Sequence, residues 1–169
     1  MRSRARAAAR RVPRPAATVI AFVIALVWSR EAEAQRGGPR PLVRADASLA
    51  RASAFQGALG LTLPLGTYVR VDAVAGAGVE RSHGARRGSA RGDVVGRFLL
   101  DPFRQSNWSG YAGAGVSALR TDGDWRGYLL AVVGVEGPGT HGLLPALELG
   151  LGGGTRVGIV LRGAAPDRR

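Results

Sequence analysis

From Leu42 onward, apolar residues alternate with polar or small ones at every second position. In the stretch "YVRVDAVAGAGVER" (68–81), the odd positions from 69 to 79 are Val or Ala, whereas Arg70 and Asp72 fall on even positions. Successive side chains of a β-strand point to opposite faces of the sheet, so one face collects the odd positions and the other the even ones. The stretch therefore predicts a strand with one apolar face and one charged face.

Seven further segments repeat this alternation, and none has the period of a helix. Gly, Pro, Asp, Ser and Asn separate the segments, as expected of turns. An even number of antiparallel strands with short connections permits closure. The sequence thus predicts an all-β protein, an eight-stranded antiparallel up-and-down β-barrel spanning 42–163. The predicted strands are 42–52, 55–65, 67–81, 89–101, 108–120, 125–136, 143–152 and 155–163.

The N-terminal residues 1–34 are typical of a cleavable signal peptide. A basic stretch is followed by thirteen apolar residues, "AATVIAFVIALVW", and then by Ala32-Glu33-Ala34, which has the small-residue spacing of a cleavage site before Gln35. Thirteen residues fall short of the roughly 20 that a spanning helix needs, which disfavours the alternative of a retained anchor helix. We expect a short linker at 35–41 and a C-terminal tail at 164–169.

The charged face predicts a network of ion pairs inside a narrow lumen. Glycines such as Gly76, Gly113 and Gly134 share that face, where they would make room for long side chains. Pairing suits a closed interior because an unpaired buried charge is costly. The residues expected to form this network are Arg44, Asp46, Arg70, Asp72, Arg97, Arg126, Glu148 and Arg156.

Aromatic residues at the segment ends predict two girdles on the apolar face. Phe55 and Trp125 begin their segments at one end of the barrel, whereas Phe103 and Trp108 lie at the other. Two such girdles are typical of a barrel that spans a membrane.

Composition changes the picture in two ways. The chain has no Cys, which excludes disulfides and thiolate metal sites, and all 24 of its Lys and Arg residues are Arg. Beyond residue 34, 17 Arg face 10 acidic residues, an excess of seven positive charges that falls in termini, turns and strand ends. We expect no nucleic-acid partner and no cofactor or metal.

With its signal peptide, strand number and stretches such as "YAGAGVSALR" and "GLGGGTRVGIVLR", the mature chain resembles the small eight-stranded bacterial outer-membrane barrels of the OmpA and OmpX type. The resemblance implies an outer-membrane location and an N-terminus in the periplasm. The first, third and fifth strands would then end at the outer surface. A lipid-facing rim of Arg is expected there to bind outer-membrane lipid, with lipopolysaccharide phosphates as the ligand. It comprises Arg51, Arg81 and Arg120, with Arg86 and Arg87 in the adjoining loop.

The functional prediction is a monomeric, non-enzymatic envelope protein with a plugged lumen. One alternative is a soluble periplasmic barrel that binds a ligand. Another is a lipid-modifying membrane enzyme, for which His83 with Ser82 or Ser89 is the candidate set. His141, the second histidine, falls at the opposite end of the barrel and cannot join them.

Overall fold

The computed structural model describes residues 38–49, 53–82, 85–103, 105–121 and 123–163. The predicted signal peptide, the linker as far as residue 37 and the C-terminal tail lie outside the described residues. The strands are β1 (Arg40–Leu49), β2 (Ser53–Pro64), β3 (Val69–Ser82), β4 (Ala85–Leu99), β5 (Ser109–Thr121), β6 (Asp124–Glu136), β7 (Leu143–Leu151) and β8 (Thr155–Gly163).

Each strand pairs antiparallel with its neighbours in the chain, and β1 also pairs with β8, which closes the sheet into a barrel. The predicted eight-stranded up-and-down barrel is therefore confirmed. The described residues include no helix long and apolar enough to cross a bilayer. We call the end at which β1 begins the lower end and the end at which β1 stops the upper end.

The hairpin formed by β3 and β4 extends further than the sequence predicted. Its strands have 14 and 15 residues, and β4 begins at Ala85 rather than at residue 89. The sequence predicts a loop there because the stretch contains turn residues such as Gly and Ser. Backbone pairing does not require apolar side chains, however, and the ladder continues through the pairs Glu80 with Arg87 and Arg81 with Arg86.

The barrel has most of its charged side chains inside, together with apolar ones such as Leu42, Leu99 and Val160, and it has most of its large apolar side chains outside. The most deeply buried large side chains include Arg44, Arg162, Glu136 and Glu148. Leu, Val, Ile, Phe and Trp side chains of the outward positions are exposed along all eight strands or at their ends. We call these two surfaces the inner wall and the outer wall. Their polarity is opposite to that of a soluble barrel, which covers its outside with polar groups.

Candidate functional site in the barrel lumen

A continuous chain of ion pairs fills the lumen, beginning at the lower end. Arg70 Nη1 lies 2.8 Å from Glu136 Oε1, and Arg162 Nη1 lies 2.9 Å from the same oxygen. Arg162 also reaches Asp72 Oδ2 at 3.3 Å, and Arg97 Nε lies 2.7 Å from that oxygen. Three Arg from three different strands thus share two carboxylates.

Glu148 occupies the middle of the network. It pairs with Arg97 and, through Oε1, with Arg44 Nη1 at 2.6 Å. The Tyr111 hydroxyl donates a hydrogen bond to Glu148 Oε2 at 3.0 Å. The guanidinium groups of Arg97 and Arg162 lie 5.0 and 5.2 Å from the centre of the Tyr111 ring, within the range of cation–π attraction. Five groups from five strands therefore meet at one level of the lumen.

Toward the upper end, three Arg share two aspartates. Arg44 Nε lies 2.6 Å from Asp46 Oδ1, and Arg91 pairs with the other oxygen of Asp46. Arg91 Nε and Arg156 Nη1 then lie 3.2 and 2.9 Å from the same oxygen, Asp93 Oδ2. These side chains are buried, which leaves bulk water little access to the pairs.

Small residues on the inner wall make room for the network, as the sequence predicted for Gly134. A Cβ at Gly134 would collide with the ring of Tyr111, and one at Gly158 would collide with the carboxylate of Asp46. Both glycines are therefore fixed by side chains that cross a narrow lumen rather than by backbone conformation.

The structure brings together all but one of the eight residues predicted for the network. The exception is Arg126, which is exposed near the upper end and forms no ion pair within the part of the chain that the structure describes. The alternation predicts which wall a side chain lies on, but not how far along the barrel axis it lies. Arg126 lies too close to the end of its strand to reach a buried carboxylate. The network also includes Arg91, Asp93, Glu136 and Arg162, which the alternation placed on the charged face but the sequence did not single out.

Above the network, the lumen widens into a cavity of about 530 Å³ that opens at the upper end. We call it the vestibule. Its deeper wall holds the buried side chains of Gln56, Arg91, Ser117 and Arg156. Its mouth is lined by Ser48, Ala54, Glu80, Arg87, Leu119, Thr121, Asp124, Arg126, Tyr128 and Gly152–Gly154.

Two members of the predicted Arg rim face each other on the outer wall. Arg81 and Arg86 are cross-strand partners, both exposed, and Arg120 lies opposite Trp125 near the same end. The loop prediction is wrong for both Arg86 and Arg87, because both belong to β4. Arg87 also lines the vestibule on the inner wall, so it is not part of the lipid-facing rim. Arg51 lies outside the described residues.

The four predicted girdle aromatics are all exposed, with Phe55 and Trp125 near the upper end and Phe103 and Trp108 near the lower end. Tyr68 joins the lower group, because its ring stacks on Phe98 at 5.7 Å and meets Phe103 edge-on at 6.3 Å. Tyr68 occupies an even position of the predicted strand 67–81, and the alternation therefore predicts that it lies on the charged face. It precedes β3, where the strand parity no longer applies.

The residues considered for lipid-modifying chemistry do not form a site among those that the structure describes. His83 lies outside the described residues, as does the side chain of Ser82. Ser89 is buried in the lumen, where its hydroxyl accepts a hydrogen bond from Gln56 Nε2 at 2.8 Å, so it is not on the outer wall. The described His, Asp and Glu residues form no cluster suited to a metal ion.

No protein-family model and no curated protein sequence matches the chain. Among solved structures, the fold is similar to the N-terminal β-barrel domain of OprF from Pseudomonas aeruginosa, with a TM-score of 0.53 and 11% identity over 76% of this chain and 99% of that domain. It is also similar to Neisserial surface protein A, with a TM-score of 0.53 and 13% identity over 74% of this chain and 94% of the other. These likenesses confirm the resemblance to small eight-stranded outer-membrane barrels at the level of the fold.

Proposed function

We propose that the protein is a monomeric outer-membrane barrel with a structural role in the cell envelope. The observation that carries this proposal is the reversed polarity of the two walls. Exposed apolar side chains such as Leu59, Leu129 and Ile159 form a surface far larger than the patches that soluble monomers expose. The strands, of 9 to 15 residues, are long enough to cross a bilayer, which takes about 9–11 residues per tilted strand.

The lumen supports a structural role rather than conduction. Eight strands leave an interior just wide enough for side chains, and here that interior is occupied by the Arg and carboxylate network. An ion crossing the barrel would have to separate buried pairs, each of which is costly to break. We expect no stable conductance.

Outer-membrane lipid is the proposed partner of the outer wall. Arg81, Arg86 and Arg120 are the charged residues among the described outward positions of the strands, and all three lie near the upper end. A guanidinium group matches a phosphate well, and close to the interface an outward Arg costs only about 0–1 kcal/mol. Lipopolysaccharide phosphates are the expected ligand if this end faces outward.

Membrane fractionation tests the location. The chain should be recovered with outer membranes, and unheated samples should migrate differently from boiled samples on a denaturing gel, because a closed barrel resists detergent until it is heated. Recovery in the soluble periplasm with identical mobilities would refute the membrane location and support a soluble ligand-binding barrel.

Planar-bilayer recording tests the plug separately. The purified chain should insert without giving a steady conductance, whereas a porin recorded in the same bilayers should conduct. Steady channels of porin size would refute the plugged lumen but would leave the membrane location intact.

A further inference from the structure

The vestibule has a positively charged lining. Among its charged residues are four Arg, namely Arg87, Arg91, Arg126 and Arg156, and two acids, Glu80 and Asp124. Arg91 and Arg156 lie at its deep end, where both are buried, and Arg126 stands exposed on the wall nearer the mouth. The cavity thus combines an open entrance with a floor that holds two guanidinium groups.

The network beneath the vestibule has fewer carboxylates than guanidinium groups. In the lower half of the network, Arg70, Arg97 and Arg162 pair with Asp72, Glu136 and Glu148. In the upper half, Arg44, Arg91 and Arg156 pair with Asp46 and Asp93. Arg44 also pairs with Glu148, which is already counted in the lower half. Among the described residues, six Arg therefore share five carboxylates in the network as a whole, and Arg91 and Arg156 are the network members that border the vestibule.

Arg156 leaves hydrogen-bond donors unused at this floor. Its Nη1 binds Asp93, but its Nε and Nη2 are buried without a hydrogen-bond partner among the described groups. Guanidinium atoms of Arg44, Arg97 and Arg162 share this condition, but of the four side chains only Arg156 lines the cavity. The side chain is 5% exposed and forms part of the cavity wall. Buried donors are nearly always satisfied in proteins, and charged ones are the most costly to leave unpaired. If the guanidinium group turns toward the cavity, a small anion would satisfy these donors and offset the surplus charge of the network.

Near its mouth, the vestibule is lined by the ring of Tyr128 and by the backbone of Gly153. Gly153 has φ +73°, a conformation that disfavours side chains, and a Cβ there would lie 3.0 Å from the Tyr128 ring. Glycine at this position therefore lets the β7–β8 turn lie against Tyr128, which itself lines the cavity. At about 530 Å³, the vestibule is within the size range of small-molecule sites.

We propose that the vestibule binds a small ligand through an oxyanion, a phosphate or carboxylate group, held by Arg156 at the floor and by Arg126 from the wall. Arg guanidinium groups bind such oxyanions with charge-assisted hydrogen bonds. The ring of Tyr128 would cover the uncharged part of the ligand, such as a sugar. This site is independent of the lipid-facing rim, because it lies on the inner wall.

Calorimetric titration of the purified chain in a zwitterionic detergent tests the site. Inorganic phosphate and glucose 6-phosphate should bind and compete with each other, and glucose alone should not bind. If the sugar phosphate binds more tightly than phosphate, the ligand has an organic part that the site also contacts. If the two bind equally, the vestibule is a site for free phosphate. Absence of binding by both anions would overturn the proposal.

Two substitutions locate the binding. Arg126→Gln should weaken phosphate binding by about tenfold, the effect of losing one charged hydrogen bond. Arg40→Gln is the control, because it removes the same charge at the lower end of the barrel, away from both the vestibule and the lipid-facing rim, and it should leave binding unchanged. Equal weakening by both variants would indicate diffuse attraction and refute a built site.

Arg156 is best tested without substitution, because its replacement could prevent folding. The side-chain Nε resonance of Arg156 in a nitrogen-15 spectrum should shift as phosphate is added, and the Arg44 resonance should shift less, since Arg44 does not line the vestibule. No shift at Arg156 while phosphate binds elsewhere would refute its role at the floor.

Discussion

Adjacent residues of β7 face two different environments. Glu148 is buried in the lumen among Arg44, Arg97 and Tyr111, whereas Leu147, one position earlier, is 56% exposed on the outer wall. The same strand therefore holds a carboxylate where a soluble barrel would keep apolar side chains, and a leucine where it would keep polar ones. The stability of a charged side chain on the inner wall therefore depends on its ion-pair partners, whereas the stability of a side chain on the outer wall depends on whether water or lipid surrounds it.

Arg side chains also have different surroundings on the two walls. On the inner wall, each guanidinium group of the network lies within ion-pair distance of at least one carboxylate, although several share one. On the outer wall, Arg81, Arg86 and Arg120 lie near one end only, and the described outward positions between the girdles are apolar or small. A buried charge needs a counter-charge, whereas a lipid-facing charge needs to be near the interface.

The largest effect is expected on the inner wall. Glu148→Gln should lower the free energy of unfolding by about 3–5 kcal/mol, because it leaves buried guanidinium groups without their carboxylate. Denaturant unfolding in detergent measures the loss. Asp124→Asn, at the exposed mouth of the vestibule, is the matched control and should change stability by less than about 0.5 kcal/mol. Similar losses in the two variants would show that the network does not stabilise the barrel.

The outer wall is tested by placing a charge at Leu147. This residue lies at the middle of β7, between Val135 and Ile159 on the neighbouring strands. Leu147→Arg should cost about 2–4 kcal/mol in a lipid bilayer, as expected near the midplane. Leu143→Arg, at the lower end of the same strand, should cost about 0–1 kcal/mol. If both variants fold equally well in bilayers, the outer wall does not face lipid.

A smaller effect separates glycines of the two walls. Gly134→Ala should destabilise the barrel by about 1–3 kcal/mol, because the methyl group would meet the Tyr111 ring in a filled lumen. Gly57→Ala is the control, since a Cβ there meets nothing within 4 Å on the outer wall, and it should be neutral or slightly stabilising. Thermal unfolding of both variants makes the comparison, and a neutral Gly134→Ala would mean that the lumen is loosely packed at Tyr111.

The sequence predicted which residues lie on each wall better than it predicted the positions of residues near the strand ends. The alternation placed Arg97 and Glu148 on the same face. Their pairing follows because, in a narrow lumen, few arrangements give each of these two buried charges a partner. The alternation gives the wrong wall for Tyr68, because this residue precedes β3. Arg87 was missed for a different reason: the stretch around it resembles a loop, whereas continuing the alternation of β4 back from Ser89 places Arg87 on the inner wall. The unpartnered Nε and Nη2 of Arg156 could not be predicted, because they depend on which pairs form in three dimensions.

The smallest effect concerns the Arg rim, and it depends on the lipid rather than on the fold. Replacing Arg81, Arg86 and Arg120 together by Gln should change stability in plain detergent little, because each exposed Arg near the interface is worth only about 0–1 kcal/mol. Added lipopolysaccharide should raise the unfolding temperature of the parent chain more than that of the variant, since the guanidinium groups would bind its phosphates. Lipopolysaccharide stripped of its lipid A phosphates is the control and should act equally on both chains. Equal stabilisation of parent and variant by the intact lipid would mean that the rim Arg extend into solvent without a lipid partner.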